Sequence, residues 1–440
     1  MNLDPRLCVF LGDNGSGKTS VIEGLSIPLS RIFPSCDSFP SLDSLPYSAD
    51  IVKVRGSFLN GRYKRSLAET SSAVVCLSGA CCENAANWCH SISDGVNTHS
   101  GASNAVAGVE RNISKIFNGW KDRGVGVPVF ARYGAYPVAV EHDNDTAKSG
   151  KVDFTNPFAS YIDSLRPSLD FDSFMDWFYD EEANELREQR RNHDYVSPEL
   201  EAVRVALERV FAASRMRISN PRFEANPKRF VMSCTGDDGA EVELVFDQLS
   251  DGYRRMVALV ADFARRLAIA NRYAGGNPLD GPGVLMIDEV DAHLHPKWQY
   301  RVIGDLQRTF PNVQLIVTTH SAEVVSTVDK KHVYILEPED GVVHEKHPEQ
   351  QTEGSYPEDI ASMVMGAPNH VDTVPAYQAY LRCLGMIQEG GQDTIEYHDA
   401  FDKVLKHYGQ DHYFTKELIS RVGGMKRRRA MLDRLYQGRR

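Results

Sequence analysis

The chain has little of what a membrane protein, a secreted scaffold or a nucleic-acid-coating protein needs. No apolar run approaches the roughly 18 residues of a membrane helix, and the N-terminus lacks the basic then apolar pattern of a signal peptide. The expectation is a cytoplasmic protein with no membrane partner. Cysteine is sparse, eight in 440 residues. Its one cluster, Cys76, Cys81, Cys82 and Cys89 beside His90, contains no C-x₂-C pair and reads as reduced thiols rather than a zinc site. Positive charge is also short, the net being −11, so the surface as a whole does not attract nucleic acid. The basic end is the exception: Lys426, Arg427, Arg428, Arg429, Arg434, Arg439 and Arg440 face only Asp433, an asymmetry that suggests an interacting tail for nucleic acid or an acidic partner surface.

What is present is a chain with 42% hydrophobic and 25% charged residues, long enough for one large domain with insertions or two or three smaller ones. Its organising stretch is GDNGSGKT, Gly12 to Thr19, which fits the phosphate-binding loop G-x-x-x-x-G-K-[ST]. The apolar run Leu7 to Leu11 before it suits a buried parallel strand, and a helix can follow. A strand feeding a glycine-rich turn that opens a helix aims backbone N–H groups and the positive end of the helix dipole at one point. Gly12, Asp13, Asn14, Gly15, Ser16, Gly17, Lys18, Thr19 and Ser20 are therefore the expected phosphate cradle. Lys18 is expected to reach the β and γ phosphates, and the Thr19 hydroxyl to hold Mg²⁺.

Farther along, Ile51 to Phe58 and Arg62 to Leu67 flank Asn60-Gly61, a strong hairpin turn, and predict an antiparallel β lobe. Val127 to Tyr133 predicts a buried strand. Phe171, Phe174 and Phe178 recur at helical spacing beside Trp177, and Ser197-Pro198-Glu199 is a helix start. A two-stranded ribbon is expected over Arg229 to Thr235 and Glu241 to Phe246. In LSDGYRRMVALVADFARRLA, from Leu249, the residues Met256, Leu259, Val260, Phe263 and Leu267 share a helical face, with Ser250 placed to cap it.

Val284 to Glu289 (VLMIDE) is an apolar strand ending in two acids, at the end of the strand where open α/β sheets bind ligands. Asp288 can complete a Mg²⁺ shell and Glu289 can take a proton from an attacking water. Val313 to Thr319 repeats the strand pattern and delivers His320, either a phosphate or water ligand or a capping residue of the next turn. His293 and His295 in DAHLHP lack a third metal ligand and read as a turn into a helix.

Together these stretches resemble the ATP-binding-cassette type of ATPase head found in SMC-like and RecF-like proteins. GDNGSGKT is similar to that family's Walker A motif, LSDGYRR to its signature, VLMIDE to Walker B, Asp291 to the D-loop and His320 to the switch histidine. The phrases LSDGYRRMVALVADFARR and IDEVDAHLHPKWQYRVIGDLQRTFPNVQLIVTTHS more closely resemble the ATPases of the Septu and retron antiphage systems. That resemblance implies ATP and Mg²⁺ as cofactors and a dimer, or higher oligomer, with ATP sandwiched between heads. Ser250 and Gly252 of one copy would then face the γ-phosphate held by the other. It also implies an HNH-type nuclease partner and, in retrons, a reverse transcriptase with its RNA–DNA product. Two departures stand out. The chain begins almost at the phosphate loop, where relatives carry a preceding N-F-R-like element, and Arg132-Tyr133-Gly134 offers no glutamine where a Q-loop is expected.

The expected fold is α/β, a P-loop NTPase of the cassette type with a mixed β and helical insertion and a helical C-terminal region. The expected divisions are 1–136 and 229–340 for the two parts of the head, 137–228 for a mainly helical insertion, and 354–440 for a helical, partner-binding region. Tyr377, Tyr380, Leu381 and Leu384 there form a stripe for a partner or, more commonly, for packing within the chain. Two rivals are weighed. One is a self-sufficient nuclease of the overcoming-lysogenization-defect type, whose Toprim domain would supply an acidic D-x-D that does not occur between Ser321 and Arg440. The other is a RecF-like DNA-repair clamp; a transport ATPase fits poorly, because the insertion is too large.

Overall fold

Leu7–Leu11 is buried at every position, as an unbroken apolar strand must be when both of its faces are covered. The computed structural model describes residues 3–30, 126–135, 153–169, 171–339, 342–367 and 373–424, together with the backbone pairing of strands between 54 and 98. The side chains of the Cys76 cluster and the basic end from Lys426 lie outside the described residues. Two units are distinguished, Met1–Ile360 and Ala361–Arg440.

In the first unit the strands run β1 (Leu7–Leu11), β2 (Val54–Leu59), β3 (Arg62–Leu67), β4 (Ser71–Leu77), β5 (Ala86–Ser93), β6 (Val96–Thr98) and β7 (Val129–Tyr133). They continue as β8 (Arg217–Ala225), β9 (Lys228–Thr235), β10 (Glu241–Val245), β11 (Gly283–Ile287), β12 (Val313–Thr319), β13 (Val333–Glu339) and β14 (Val342–Lys346). The main sheet has the order β14-β13-β1-β12-β11-β7. All its pairings are parallel except β13 with β14. Leu11 pairs with Thr319 and Ile335, and Ile287 with Val317 and Tyr133. The C-terminal ends of β1, β12, β11 and β7 therefore lie along one edge, where a doubly wound sheet binds ligands. This is the α/β architecture of a P-loop NTPase. β12 stands between the strand that feeds the phosphate loop and the strand that ends in the acids.

The 54–98 strands pair antiparallel, β2 with β3, β4 with β5 and β5 with β6. A separate sheet, β10-β9-β8, extends the predicted two-stranded ribbon by one strand. Pro221 argues against a strand in the sequence. Here it sits at a register break between Ser219 and Arg222, the kind of bulge where a strand tolerates proline. Against this sheet packs the helix Phe171–Gln189, whose Phe171, Phe174 and Phe178 are fully buried. Their rings meet Phe230 and Phe246, with Phe171 and Phe246 stacked at 4.3 Å and Phe178 edge-on to Phe230 at 5.2 Å. Each such ring contributes about 1.5–3 kcal/mol by burial, so the predicted aromatic face is core. Ser197 caps the helix Pro198–Phe211 by accepting from Leu200 N.

The helix Asp251–Ala270 is buried over most of its length. It carries a charged cluster inside: Asp262 accepts from Arg265 at 2.5 Å, from Arg266 at 2.7 Å and from the Tyr133 hydroxyl at 2.8 Å. Burial alone would push the Asp262 carboxyl up, but Arg266 and Arg265, with the hydrogen bonds, outweigh it and hold the carboxyl below its usual range.

In the second unit the helices Pro375–Gln388, Ile395–Tyr408 and 413–424 enclose a core of Tyr377, Tyr380, Cys383, Ile387, Tyr397, Val404 and Leu418. Tyr380 stacks on Phe414 at 4.4 Å and Leu384 packs on the same core, so most of the predicted stripe is internal. Leu381 alone of the four is exposed.

Candidate functional site

The loop after β1 is shaped by what its glycines lack. A Cβ on Gly12 would lie 2.5 Å from Ser16 Oγ and 2.8 Å from the Leu336 carbonyl oxygen, so no larger residue fits between the loop and β13. Gly15 and Gly17 take φ of +83° and +95°, conformations that L side chains rarely adopt. The loop folds back on itself through Ser16 N donating to Asp13 O at 3.1 Å, and the helix Lys18–Ser30 begins at once. Asp13, Asn14, Gly15, Thr19 and Ser20 are exposed, while Ser16 and Lys18 are buried. The Lys18 ammonium donates to Gly12 O at 2.8 Å and Asp13 O at 2.9 Å. Burial lowers its pKa, partly offset by Asp288, Glu289, Asp13 and Asp291.

Asp288, one residue past β11, meets that loop across the sheet. Thr19 Oγ1 donates to one carboxylate oxygen at 2.8 Å, and Thr318 Oγ1 on β12 donates to the other at 2.6 Å. The same Thr318 oxygen accepts from Glu289 N at 2.7 Å. Glu289 itself has φ +52°, the left-handed region, which costs a non-glycine residue about 1–3 kcal/mol and persists only when surrounding contacts enforce it. Asp291 accepts from Thr319 Oγ1 at 2.5 Å and from His320 N at 3.4 Å, tying the predicted D-loop acid to the predicted switch histidine. Ser321 Oγ, next in the chain, caps the helix Ala322–Val325, so the capping role weighed for His320 belongs to its neighbour. His295 accepts from Lys297 N as the cap of the helix Pro296–Gln299, in line with the turn reading of DAHLHP.

The stretch that resembles a signature motif lies close by. Ser250 is exposed ahead of the helix Asp251–Ala270 and makes no side-chain cap bond. Gly252 packs in its own chain against the turn after the acids, where its Cβ would sit 2.2 Å from His293 O. Arg255, buried, clamps that turn: Nη1 donates to Glu289 O at 2.7 Å, and Nη2 to Asp288 O at 2.5 Å and Gly134 O at 3.3 Å. Its pKa is pulled down by burial, against the acids Glu289, Asp291 and Asp288.

Sequence reasoning missed Thr318 and Arg255. Their signals were weak but present: the first of two threonines that close the strand before His320, and an arginine beside Met256 on an apolar helical face.

The residues fit a magnesium nucleotide. The buried Ser16 Oγ of the loop has no hydrogen-bond partner among the described residues, and a hydroxyl with a carboxylate is a hard-oxygen donor pair suited to Mg²⁺. Thr19 and Asp288 would hold the metal, and the loop amides with Lys18 the phosphates.

A family model described as "AAA domain, putative AbiEii toxin, Type IV TA system" matches residues 113–326. The chain is 48% identical over 99 residues to the Retron Ec83 probable ATPase of Escherichia coli, covering 22% of this chain and 18% of that one. It is 46% identical over 99 residues to the Retron Vc95 probable ATPase of Vibrio cholerae serotype O1 biovar El Tor, covering 22% and 19%. With the Septu protein PtuA of Bacillus mycoides (strain KBAB4) it shares 34% over 108 residues, covering 24% and 14%. The chain thus spans about a fifth or less of the length of these relatives. A solved SMC head bound to the C-winged helix domain of ScpA overlays on 79% of this chain and 92% of its own, at 14% identity and a TM-score of 0.41. The strand order and parallel register of the main sheet by themselves define the α/β fold. The chain is similar to retron and Septu ATPases, as its motifs suggested.

Proposed function

We propose that the chain binds ATP with Mg²⁺ and hydrolyses it, that two copies close around the nucleotide, and that this cycle controls a separate HNH-type nuclease in an antiphage system of the retron or Septu kind. The observation that carries the reading is the 2.8 Å hydrogen bond from Thr19 Oγ1 to Asp288, residues 269 apart in the chain. It joins the phosphate loop to the first of the paired acids, the two halves of a metal–nucleotide site.

Within that reading, the loop amides and Lys18 bind the phosphates, and Thr19 and Asp288 hold the metal. Bound there, Mg²⁺ neutralises phosphate charge. Thr318 fixes the Asp288 carboxylate and the Glu289 amide, Glu289 accepts the proton of the attacking water, and His320 hydrogen-bonds the γ-phosphate. Arg255 holds the acid-bearing turn. Ser250 faces the nucleotide of the second copy, together with the signature backbone at Gly252. The retron and Septu relatives support the defence context, and the nuclease partner is an extension from it. Purification from native cells tests that extension. An HNH-type nuclease should copurify, and metal-dependent cleavage of DNA or RNA by the partner-free chain would overturn the division of labour.

A further inference from the structure

The phosphate loop and Lys18 hold phosphates and are blind to the base, so recognition of the rest of a nucleotide needs another surface. The β13–β14 hairpin touches the loop at both ends. The Leu336 carbonyl on β13 closes on Gly12, and Val343 Cγ2 on β14 would lie 3.5 Å from a Cβ built at Gly17. The antiparallel register sets Pro338 opposite Val343, and cross-strand partners share a face. All of β14 is exposed, as is Pro338, and Val343 itself is 45% exposed. An apolar cross-strand pair in the open, against the rim of a phosphate cradle, suits a flat aromatic group carried by the molecule in that cradle.

We propose that the Pro338–Val343 face of this hairpin is the surface on which the base of the bound nucleotide rests. The proposal depends on the phosphate-loop reading above and adds the part of the ligand that the motifs leave unassigned. Contact of this kind is apolar and insensitive to hydrogen-bond pattern, so it strengthens purine nucleotides relative to bare polyphosphate.

The test uses the full chain and two probes, Mg·ATP and Mg·tripolyphosphate, titrated calorimetrically against wild type and Val343→Ser. The position is exposed, so the variant should fold. Val343→Ser is expected to weaken ATP about three- to tenfold and to leave tripolyphosphate within about twofold. Unchanged ATP affinity, or parallel losses for both probes, would overturn the proposal. A wild-type chain that binds neither probe would overturn the phosphate-loop reading instead, and with it this one.

Discussion

Gly252 and His293 meet backbone to backbone, close enough that a Cβ on Gly252 would lie 2.2 Å from the His293 carbonyl oxygen. This glycine, in the stretch that resembles a signature motif, therefore has work inside its own chain, seating the helix Asp251–Ala270 against the turn that follows Asp288, Glu289 and Asp291. Gly252→Ala should cost about 1–3 kcal/mol, the usual penalty of overpacking against backbone, read as a lower urea midpoint without nucleotide. Ser250→Arg, at an exposed position, should leave that midpoint unchanged and instead block ATP-dependent dimerisation in light scattering. Equal midpoints for wild type and Gly252→Ala would rule out the packing role.

Thr318 serves both acids, donating to Asp288 and accepting from Glu289 N. Thr318→Val keeps the shape but leaves a buried carboxylate oxygen and an amide short of a partner. Groups that orient a metal ligand typically matter 10- to 100-fold, so Mg²⁺-dependent ATP binding should weaken by about that factor while Mg²⁺-free binding changes little. If both fall alike, Thr318 is not acting through the metal.

The Asp262 cluster gives a pH prediction. Its carboxyl is held below the ordinary value by Arg266 and Arg265 despite burial. A depressed folded pKa means the unfolded chain binds the proton more readily, so the contribution is present above the unfolded carboxylate pKa of about 3.9 and fades as pH falls through the folded value. Removing one partner of a buried ion pair costs about 3–5 kcal/mol. Asp262→Asn should lose that much stability at pH 7 and show a shallower decline below about pH 4 than wild type. Parallel pH profiles would contradict the assignment.

What was legible in the chain was what local chemistry forces into a few adjacent residues. A phosphate cradle needs glycines at fixed spacing, and a strand covered on both faces needs an apolar run; Ser197 before Pro198 names a helix start without any tertiary knowledge. What could not be read depends on strand order. Thr318 gains its role because β12 lies between β1 and β11, and nothing local to VQLIVTTH says so. Arg255 was hidden because its partners are main-chain carbonyls, and β8 because Pro221 is tolerated only at its bulge. The tyrosines of the second unit read as a stripe whose commoner use is packing within the chain, but which residue covers them, Phe414, is set by the tertiary fold.

Lys18→Ala removes the one side-chain cation of the loop and should abolish measurable ATP binding by calorimetry, charge-assisted contacts to phosphate being among the strongest available. Thr19→Ala should weaken binding more with Mg²⁺ than without it. Retained ATP affinity in Lys18→Ala would sink the loop assignment.

The most direct measurement is steady-state ATP hydrolysis by the purified chain beside its Glu289→Gln variant. The amide keeps the shape of the side chain but cannot accept a proton from water, and general bases contribute roughly 10²- to 10⁴-fold. The expected result is hydrolysis by wild type, a rate lowered by about that factor in Glu289→Gln, unchanged ATP affinity and accumulation of the ATP-bound dimer. Equal rates in the two proteins, or no hydrolysis by wild type, would contradict the account.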